Sequence, residues 1–377
     1  MAIFPQTFVF LSILTLNTLT DVISIKPFVL EEQLIWESKA EGEVSTYRIP
    51  LIIQVPTGDL LAFSEARKYS SADAGAKFIA MRRSTNGGNS WGPTSFILND
   101  YKVPDGLNLG TVMINRNNNT LILVHTFCVH SVCNTTGQKP SGVFTVTSTD
   151  WGYSWQEPIN MAENNPLLAQ LHWDPGPGYG IQKKYNPHKG RLITCGHLPT
   201  ASERSMFCLY SDDGVTWHLN EGLFGLPYQQ TKVTGDFVPG EVQLVELKNG
   251  TLLANIRNTY TYHCHCRIQV LSFDGGQTFP FSHMRLKEEL VDPGVCGSIL
   301  NFNDIIFFSH AYNPSSRVNM TLHWSLDSGA SYQSMLNIYP KGSAYSCLSP
   351  IDENHIGLIF EKDGYKYISF VKIQLNL

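Results

Sequence analysis

Three charged residues in the N-terminal quarter of the chain could act together on one ligand. They are Arg48 in Tyr47-Arg-Ile-Pro50, Arg67 in Phe63-Ser-Glu-Ala-Arg67, and Asp73 in Ser70-Ser-Ala-Asp-Ala-Gly75. Two guanidinium forks facing a carboxyl suit an acidic ligand: the forks bind an anion, and the carboxyl exchanges a proton with a bond nearby. The plainer alternative is a pair of surface arginines in ordinary ion pairs. Strands must position these groups. Leu51-Ile-Ile53 and Leu60-Leu-Ala-Phe63 are short apolar runs bounded by Pro, Gly and Asp, the pattern of buried strands. Arg48 and Arg67 then stand at strand ends, and Asp73 on the Ser/Ala/Gly-rich loop that follows.

A short signature, Ser-x-Asp-x-Gly-x-Ser/Thr-aromatic, recurs along the chain. Its copies begin at Ser84 (with Asn86 in the Asp position), Ser148, Ser211 (one residue short), Ser272 and Ser325, at intervals of 64, 63, 61 and 53 residues. The motif has a local logic: Asp accepts backbone N–H bonds across a tight turn, Gly supplies a positive φ, and the aromatic tucks beneath. Its carboxylates are therefore turn formers and poor catalysts. A period of this size suits a four-stranded propeller blade, and the roughly 330 residues after Val44 accommodate about six. The expected fold is all-β, a six-bladed β-propeller. The strand-like run Lys366 to Gln374 could close the ring by pairing with the first blade, which removes a free edge.

At 377 residues and a formal net charge of −5, with no basic block, the chain does not resemble a nucleic-acid binder. Residues 1 to about 20 contain Phe8-Val-Phe-Leu-Ser-Ile-Leu-Thr-Leu16, an apolar run too short to span a bilayer. They read as a cleaved signal peptide, although no Lys or Arg precedes Lys26, and residues 21–377 read as a single domain. No other segment qualifies as transmembrane. Glycosylation sequons stand at Asn118, Asn134, Asn249 and Asn319, the last inside a strand-like run. Cys128 with Cys133, and Cys195 with Cys208, are candidate bridges for an oxidising compartment; spacing alone does not fix connectivity. The quartet His263-Cys-His-Cys266 suggests zinc, but alternate residues of a strand face opposite sides, so the four cannot share one tetrahedral ion. No metal or other cofactor is assigned.

Tyr-Arg-Ile-Pro followed by Phe-Ser-Glu-Ala-Arg resembles the opening of the sialidase (neuraminidase) family. The run Glu65 to Ser84 with Val103-Pro-Asp-Gly-Leu-Asn-Leu-Gly110 is similar to the animal lysosomal sialidases in particular, and the match resumes at intervals to Glu361. The resemblance identifies the repeated turns as Asp boxes, away from the active site, and also implies six blades. It implies an arginine triad for a sialic acid carboxylate, Arg48, Arg257 and Arg317, with Glu361 holding the first arginine. The nucleophile is implied to be Tyr345 in Gly342-Ser-Ala-Tyr-Ser-Cys347, its base Glu241 in Pro239-Gly-Glu-Val-Gln243, and the acid/base Asp73. Arg67, Asn108, Tyr179 and Gln182 are further candidates for substrate contact. A Tyr nucleophile departs from the usual pair of carboxylates; a phenol arrives neutral where a carboxylate would be repelled by the substrate's own charge.

The expected activity is that of a retaining exo-α-sialidase acting on sialylated glycans in an acidic secretory-pathway compartment. The lysosomal lumen is implied by resemblance, with secretion as the alternative. A trans-sialidase on the same site, or a non-catalytic glycan- or protein-binding propeller, are the competing readings. Resemblance further implies a serine carboxypeptidase (protective protein) partner, or a homo-oligomer. Where the family has Gln-Gly-Ser, this chain has Cys296-Gly297-Ser298. Tyr367-Ile-Ser-Phe370 has the pattern of a sorting signal but falls in a strand-like run.

Overall fold

The computed structural model describes residues 25–130, 142–163, 165–170, 173–199, 204–225, 237–259 and 264–376. Five β-sheets, one five-residue helix (Pro166–Gln170) and two short 3-10 turns make up the regular structure of these residues. The fold is all-β, with the sheets in a propeller-like arrangement. The expected signal peptide, together with Cys133, Asn134 and His263, lies outside the described residues.

Each sheet begins at the centre and proceeds outward. In the first, Thr46–Gln54, Leu60–Arg67, Lys77–Ser84 and Ser95–Asn99 follow one another as an antiparallel meander. Every residue of Leu60–Arg67 is buried, while Ser95–Asn99 has none fully buried. Inner strands are covered on both faces by neighbouring sheets, which is why they read as continuous apolar runs rather than as an alternation. The second sheet repeats the order with Leu107–Asn115, Thr120–Phe127, Gly142–Ser148 and Ile159–Asn160. The third is built on Leu192–Pro199 and Arg204–Ser211, and the fourth runs from Pro239–Glu246 to Met284–Val291. The fifth has seven strands. Its 19-residue strand Ser334–Asp352 pairs with Val318–Ser325 through its first half and with His355–Lys362 through its second.

Side chains and backbone tie the inner strands to one another around the axis. Cys347 Sγ donates to the Ile52 carbonyl at 3.7 Å, the Leu348 N–H to Ser298 Oγ at 2.9 Å, Ser298 Oγ to Gln243 Oε1 at 2.8 Å, and Gln243 Nε2 to the Pro177 carbonyl at 3.1 Å. Gly178 lies in this ring at φ +148, where a Cβ would stand 2.1 Å from Gln243 Nε2, so a larger residue would displace the Gln243 side chain from its bonds.

All five Ser-x-Asp turns have one hydrogen-bond pattern. The serine hydroxyl donates to the Asp or Asn carbonyl or carboxyl oxygen (2.6–2.9 Å), and the glycine N–H donates to the serine (2.7–2.9 Å). The acidic or amide group then accepts the N–H of the following Ser or Thr, at 2.9 Å in the first copy and 2.8 Å in the second. Each turn follows the third strand of its meander, at the end opposite the starts of the inner strands. Cys195 and Cys208 face each other across an antiparallel pair and are bridged. Cys264 and Cys266 are also bridged, so these two residues of the His-Cys-His-Cys run form a disulfide. Cys128 is disulfide-bonded as well.

Ring closure differs from the expectation. Tyr367–Gln374 pairs not with the first sheet but with the N-terminal strand Phe28–Glu37, which becomes the outer edge of the last sheet. The start of the chain thus completes the sheet made by its end. Trp36 anchors this strand: it is 1% exposed, stacks on Tyr47 at 5.4 Å, and donates from Nε1 to Thr94 Oγ1 at 3.0 Å. Trp36→Ala is expected to cost about 3–5 kcal/mol in chemical denaturation, and Trp36→Phe distinctly less. A loss below about 1 kcal/mol for the alanine variant would place the closure energy elsewhere.

Candidate active site

The inner strands start at one mouth of the ring, and four of them are irregular where they do so. Register shifts lie between Arg48 and Leu51, Leu109 and Thr111, Pro239 and Val242, and Ser343 and Ser346. A bulge takes backbone groups out of the ladder and re-aims the neighbouring side chains. Glu361, 1% exposed, collects two of the released N–H groups. Its Oε1 accepts the Ile49 N–H at 2.9 Å and Arg48 Nε at 2.6 Å, and its Oε2 accepts the Tyr345 N–H at 3.1 Å. One buried carboxylate therefore fixes Arg48 and the backbone of Tyr345. Glu65 does the same on the next strand, accepting the Leu109 N–H at 2.9 Å and pairing with Arg67 at 2.8 Å.

Tyr345 stands among the three expected arginines. Its hydroxyl donates to Glu241 Oε1 and accepts Arg257 Nη1 at 3.0 Å, while the same Nη1 reaches Glu241 Oε2 at 2.6 Å. The guanidinium carbons of Arg48 and Arg317 lie 5.6 and 5.7 Å from its ring centre. Burial first, then the Glu241 carboxylate, push the Tyr345 phenol well above its ordinary range, with Arg257 opposing. Burial also acts against ionisation of Glu241, but Arg257 and His197 outweigh it and hold this carboxyl below its usual range. A neutral phenol thus faces an ionised acceptor.

Asp73 is at the exposed rim, its side chain 66% accessible, and pairs with Arg67 at 2.9 Å. Arg48 and Arg67 both donate to the Ser71 carbonyl of the same loop. Burial raises the Asp73 pKa, yet the Arg67 and Arg48 charges prevail and hold it below the ordinary value. Asn108 is 6% exposed; its Oδ1 accepts Lys77 Nζ at 3.2 Å, and its Nδ2 has no hydrogen-bond partner among the described residues. Tyr345, Glu241, Arg257, Asp73, Arg67 and Asn108 all border one cleft of about 380 Å³.

Tyr179 and Gln182 are not brought to that cleft. Tyr179 donates to the Ile299 carbonyl, and Gln182 accepts the Arg116 N–H at 2.8 Å. Both line a smaller cavity with Ile52, Ile53 and Leu348, at the far ends of the inner strands. The Gly/Pro run that carries them crosses from one mouth of the ring toward the other. The first part of that run instead supplies Asp174, Pro175 and Pro177 to the cleft.

Four titratable residues bordering the cleft were not read from the sequence as site residues: Glu65, His130, Asp174 and His197. His130 Nδ1 is 2.8 Å from Asp105 Oδ1, and Asp105 outweighs burial to raise the His130 pKa. Asp174 is pushed up to about 7 by burial, a shift that Glu241 and Glu65 reinforce and His130 opposes. Among the described residues no group of three or more His, Cys, Asp or Glu side chains is placed to hold a metal ion, and no helix is long and apolar enough to cross a membrane.

The chain matches the family of BNR repeat-like domains over residues 58–372, and it belongs to that family. Its relatives include sialidases. A sialidase of Micromonospora viridifaciens is 28% identical over 353 residues, covering 86% of this chain and 51% of its own length. Sialidase-3 of Rattus norvegicus is 28% identical over 276 residues, covering 68% of this chain and 62% of its own length. This chain therefore spans about half to two thirds of those relatives. Among solved structures, the intramolecular trans-sialidase of Ruminococcus gnavus is similar in fold, with a TM-score of 0.73 at 16% identity over 91% of this chain and 98% of that one.

The raised Asp174 pKa has a thermodynamic consequence. A carboxyl whose folded value lies above its unfolded value near 3.9 makes stability fall as pH rises through the interval, here from about 4 to about 7. Asp174→Asn removes this dependence. Its melting temperature should exceed that of the wild type by at least about 2 °C at pH 7.5, with a much smaller difference at pH 4.5. An equal shift at both pH values would mean that Asp174 is ionised throughout.

Proposed function

We propose that this chain is a retaining exo-α-sialidase on a six-bladed β-propeller. The observation that carries the reading is the Tyr345 hydroxyl between Glu241 and Arg257, with Arg48 and Arg317 flanking the ring. The seven-stranded sheet divides at Ser334–Asp352 into two blades, so five sheets give six blades. The five serine–aspartate turns correspond to Asp boxes.

On this reading the substrate carboxylate docks on Arg48, Arg257 and Arg317, each charge-assisted bond contributing about 1.5–3 kcal/mol. The anomeric carbon then lies over Tyr345. As the Tyr345 oxygen bonds to it, the phenol proton passes to Glu241 and the glycosidic C–O bond breaks. Asp73 donates a proton to the departing oxygen. In the second half Asp73 takes a proton from water, water attacks the anomeric carbon, and Tyr345 leaves with its proton returned by Glu241. In the free protein Arg67 and Arg48 favour the ionised form of Asp73. A bound carboxylate compensates the Arg48 charge and lets the Asp73 pKa rise, so loading the acid is coupled to binding. Attack by a sugar hydroxyl in place of water would make the same site a trans-sialidase. A purely binding propeller would not require a phenol, its carboxylate acceptor and three arginines to converge as they do at Tyr345.

Substrates of this kind are terminal sialic acids on glycoproteins, oligosaccharides or glycolipids. An acidic secretory-pathway compartment, the lysosomal lumen first, suits an acid that must be protonated. The disulfides Cys195–Cys208 and Cys264–Cys266 are consistent with such a route. Asn118 and Asn249 are exposed on turns and accessible to glycosylation, whereas Asn319 is half-buried in Val318–Ser325. A serine carboxypeptidase partner, or self-association, belongs to the same proposal.

Three experiments test it. Asp73→Asn is expected to lower turnover of natural sialosides at least about a hundredfold while largely sparing the glycosylation step of an aryl sialoside, whose leaving group needs little protonation. Equal loss on both would remove Asp73 from the acid role. Tyr345→Phe keeps the ring and removes the oxygen, so the protein should fold as wild type and lose activity on natural substrates by about four orders of magnitude. Incubation of the wild type with a 2,3-difluoro sialic acid, followed by peptide mapping, should place the added mass on Tyr345; a label on Glu241 or Asp73 would refute this nucleophile.

A further inference from the structure

The three arginines around Tyr345 are not equivalent in charge. Arg48 is neutralised by Glu361 at 2.6 Å and Arg257 by Glu241 at 2.6 Å. Arg317 has no ion pair with any carboxylate among the described residues; its Nη1 donates instead to the hydroxyl of Tyr365 at 2.9 Å. Three cations and two anions leave one positive charge, which is the charge needed to hold one carboxylate.

Tyr365 links Arg317 to the rest of the cluster. Its ring lies 3.9 Å from the guanidinium carbon of Arg48, while its hydroxyl accepts from Arg317. The residue sits on the turn between His355–Lys362 and Tyr367–Gln374 at φ +71, and its carbonyl accepts Ser38 Oγ at 2.7 Å. Its ring also packs against the cluster that contains Ile49, Ala344 and Tyr345. A cation stacked on an aromatic face is attracted by it, and a phenol oxygen orients a guanidinium without cancelling its charge. An acid at this position would neutralise Arg317, and an aliphatic residue would leave that side chain without a hydrogen-bond partner.

We propose that Tyr365 is a positioning residue that aims Arg317 beside Tyr345 and keeps it uncompensated, so that the arginine cluster presents one net positive charge to one substrate carboxylate. The proposal rests on the sialidase reading above and adds a residue that holds two of its three arginines. It predicts discrimination by charge: the free acid should bind far better than its uncharged methyl ester, and part of that preference should depend on Tyr365.

The test compares wild type with Tyr365→Phe and Tyr365→Glu. The readouts are KM and kcat on an aryl sialoside, and calorimetric affinities for free sialic acid and its methyl ester. Tyr365→Phe retains the stack on Arg48 and loses only the bond to Arg317. It should raise KM and the dissociation constant of the acid about tenfold, with kcat changed less than about threefold. Tyr365→Glu should weaken the acid at least about a hundredfold and erase most of its advantage over the ester. Thermal unfolding of Tyr365→Phe serves as the structural control. If Tyr365→Phe binds the acid as the wild type does, or if Tyr365→Glu keeps the full preference for acid over ester, the assignment is overturned while the sialidase reading stands. A wild-type protein that neither binds nor hydrolyses sialosides overturns both.

Discussion

The mouth of the ring depends on the buried carboxylate of Glu361. Burying a charge is costly unless every lone pair finds a donor, and Glu361 finds three: Arg48 Nε, the Ile49 N–H and the Tyr345 N–H. Those donors belong to the first and last inner strands of the ring, which are remote in sequence. The interaction therefore joins the two ends of the propeller-like arrangement at the point where the chemistry is proposed. It also accounts for the bulges on both strands, because an N–H engaged in a regular ladder could not turn toward a side chain. Removing the charge would leave Arg48 unpaired and two backbone donors without a strong acceptor.

Glu65 and Glu241 extend the same principle around the mouth. Each is a carboxylate next to a bulge or at a strand end, and each is paired with an arginine that borders the cleft. The cleft is thus lined by arginines whose orientation is set from behind by anions. Anionic backing reduces repulsion among the cations and prevents them from turning to solvent. It also restrains the site's net charge, so that a single carboxylate suffices to complete the cluster.

Much of this was legible in the sequence because it is encoded locally. A Ser-x-Asp-x-Gly turn is specified by about eight residues, and all five copies form the hydrogen bonds their side chains imply. The inner strands were legible as unbroken apolar runs, and Arg48, Arg67 and Asp73 from the residues around them, whereas Glu241, Arg257 and Tyr345 were picked out only by resemblance to the sialidase family. What escaped is set by how distant loops approach one another. Phe28–Glu37 mixes apolar and acidic residues without clean alternation, so nothing marks it as the strand that closes the last sheet. Asp363-Gly364-Tyr365 announces a turn and is silent about the arginines beneath it. The path of the Gly/Pro-rich segment 175–182 across the axis, which brings Asp174 to the cleft and takes Tyr179 and Gln182 away, is a property of the assembled ring. The disulfide between Cys264 and Cys266 was hidden by a metal-like pattern.

The two ends of the cleft differ in exposure, and the proposed chemistry needs that difference. Tyr345 is 7% exposed and its phenol stays neutral through burial, which suits an attacking group that must not repel an anionic substrate. The Asp73 side chain is 66% accessible on a loop tied by Arg67 and Arg48 at Ser71 and by a bridge to Asp105 at Gly75, which suits a group that, on the proposed reading, serves a leaving glycan first and water next. If the positions were exchanged, an exposed phenol would lose its dry contact with Glu241, and a buried acid would be out of reach of the departing oxygen. The buried end is held from behind by Glu361 at the Tyr345 backbone and by Glu241 at its hydroxyl. The exposed end is governed by charge: Arg67 and Arg48 hold the Asp73 carboxyl below its ordinary value, and on the proposed reading an anion bound at the arginines would relax that hold. Under the proposed mechanism, binding and acid loading would be two consequences of one electrostatic arrangement, in which the substrate's own carboxylate relaxes the field that keeps its proton donor empty.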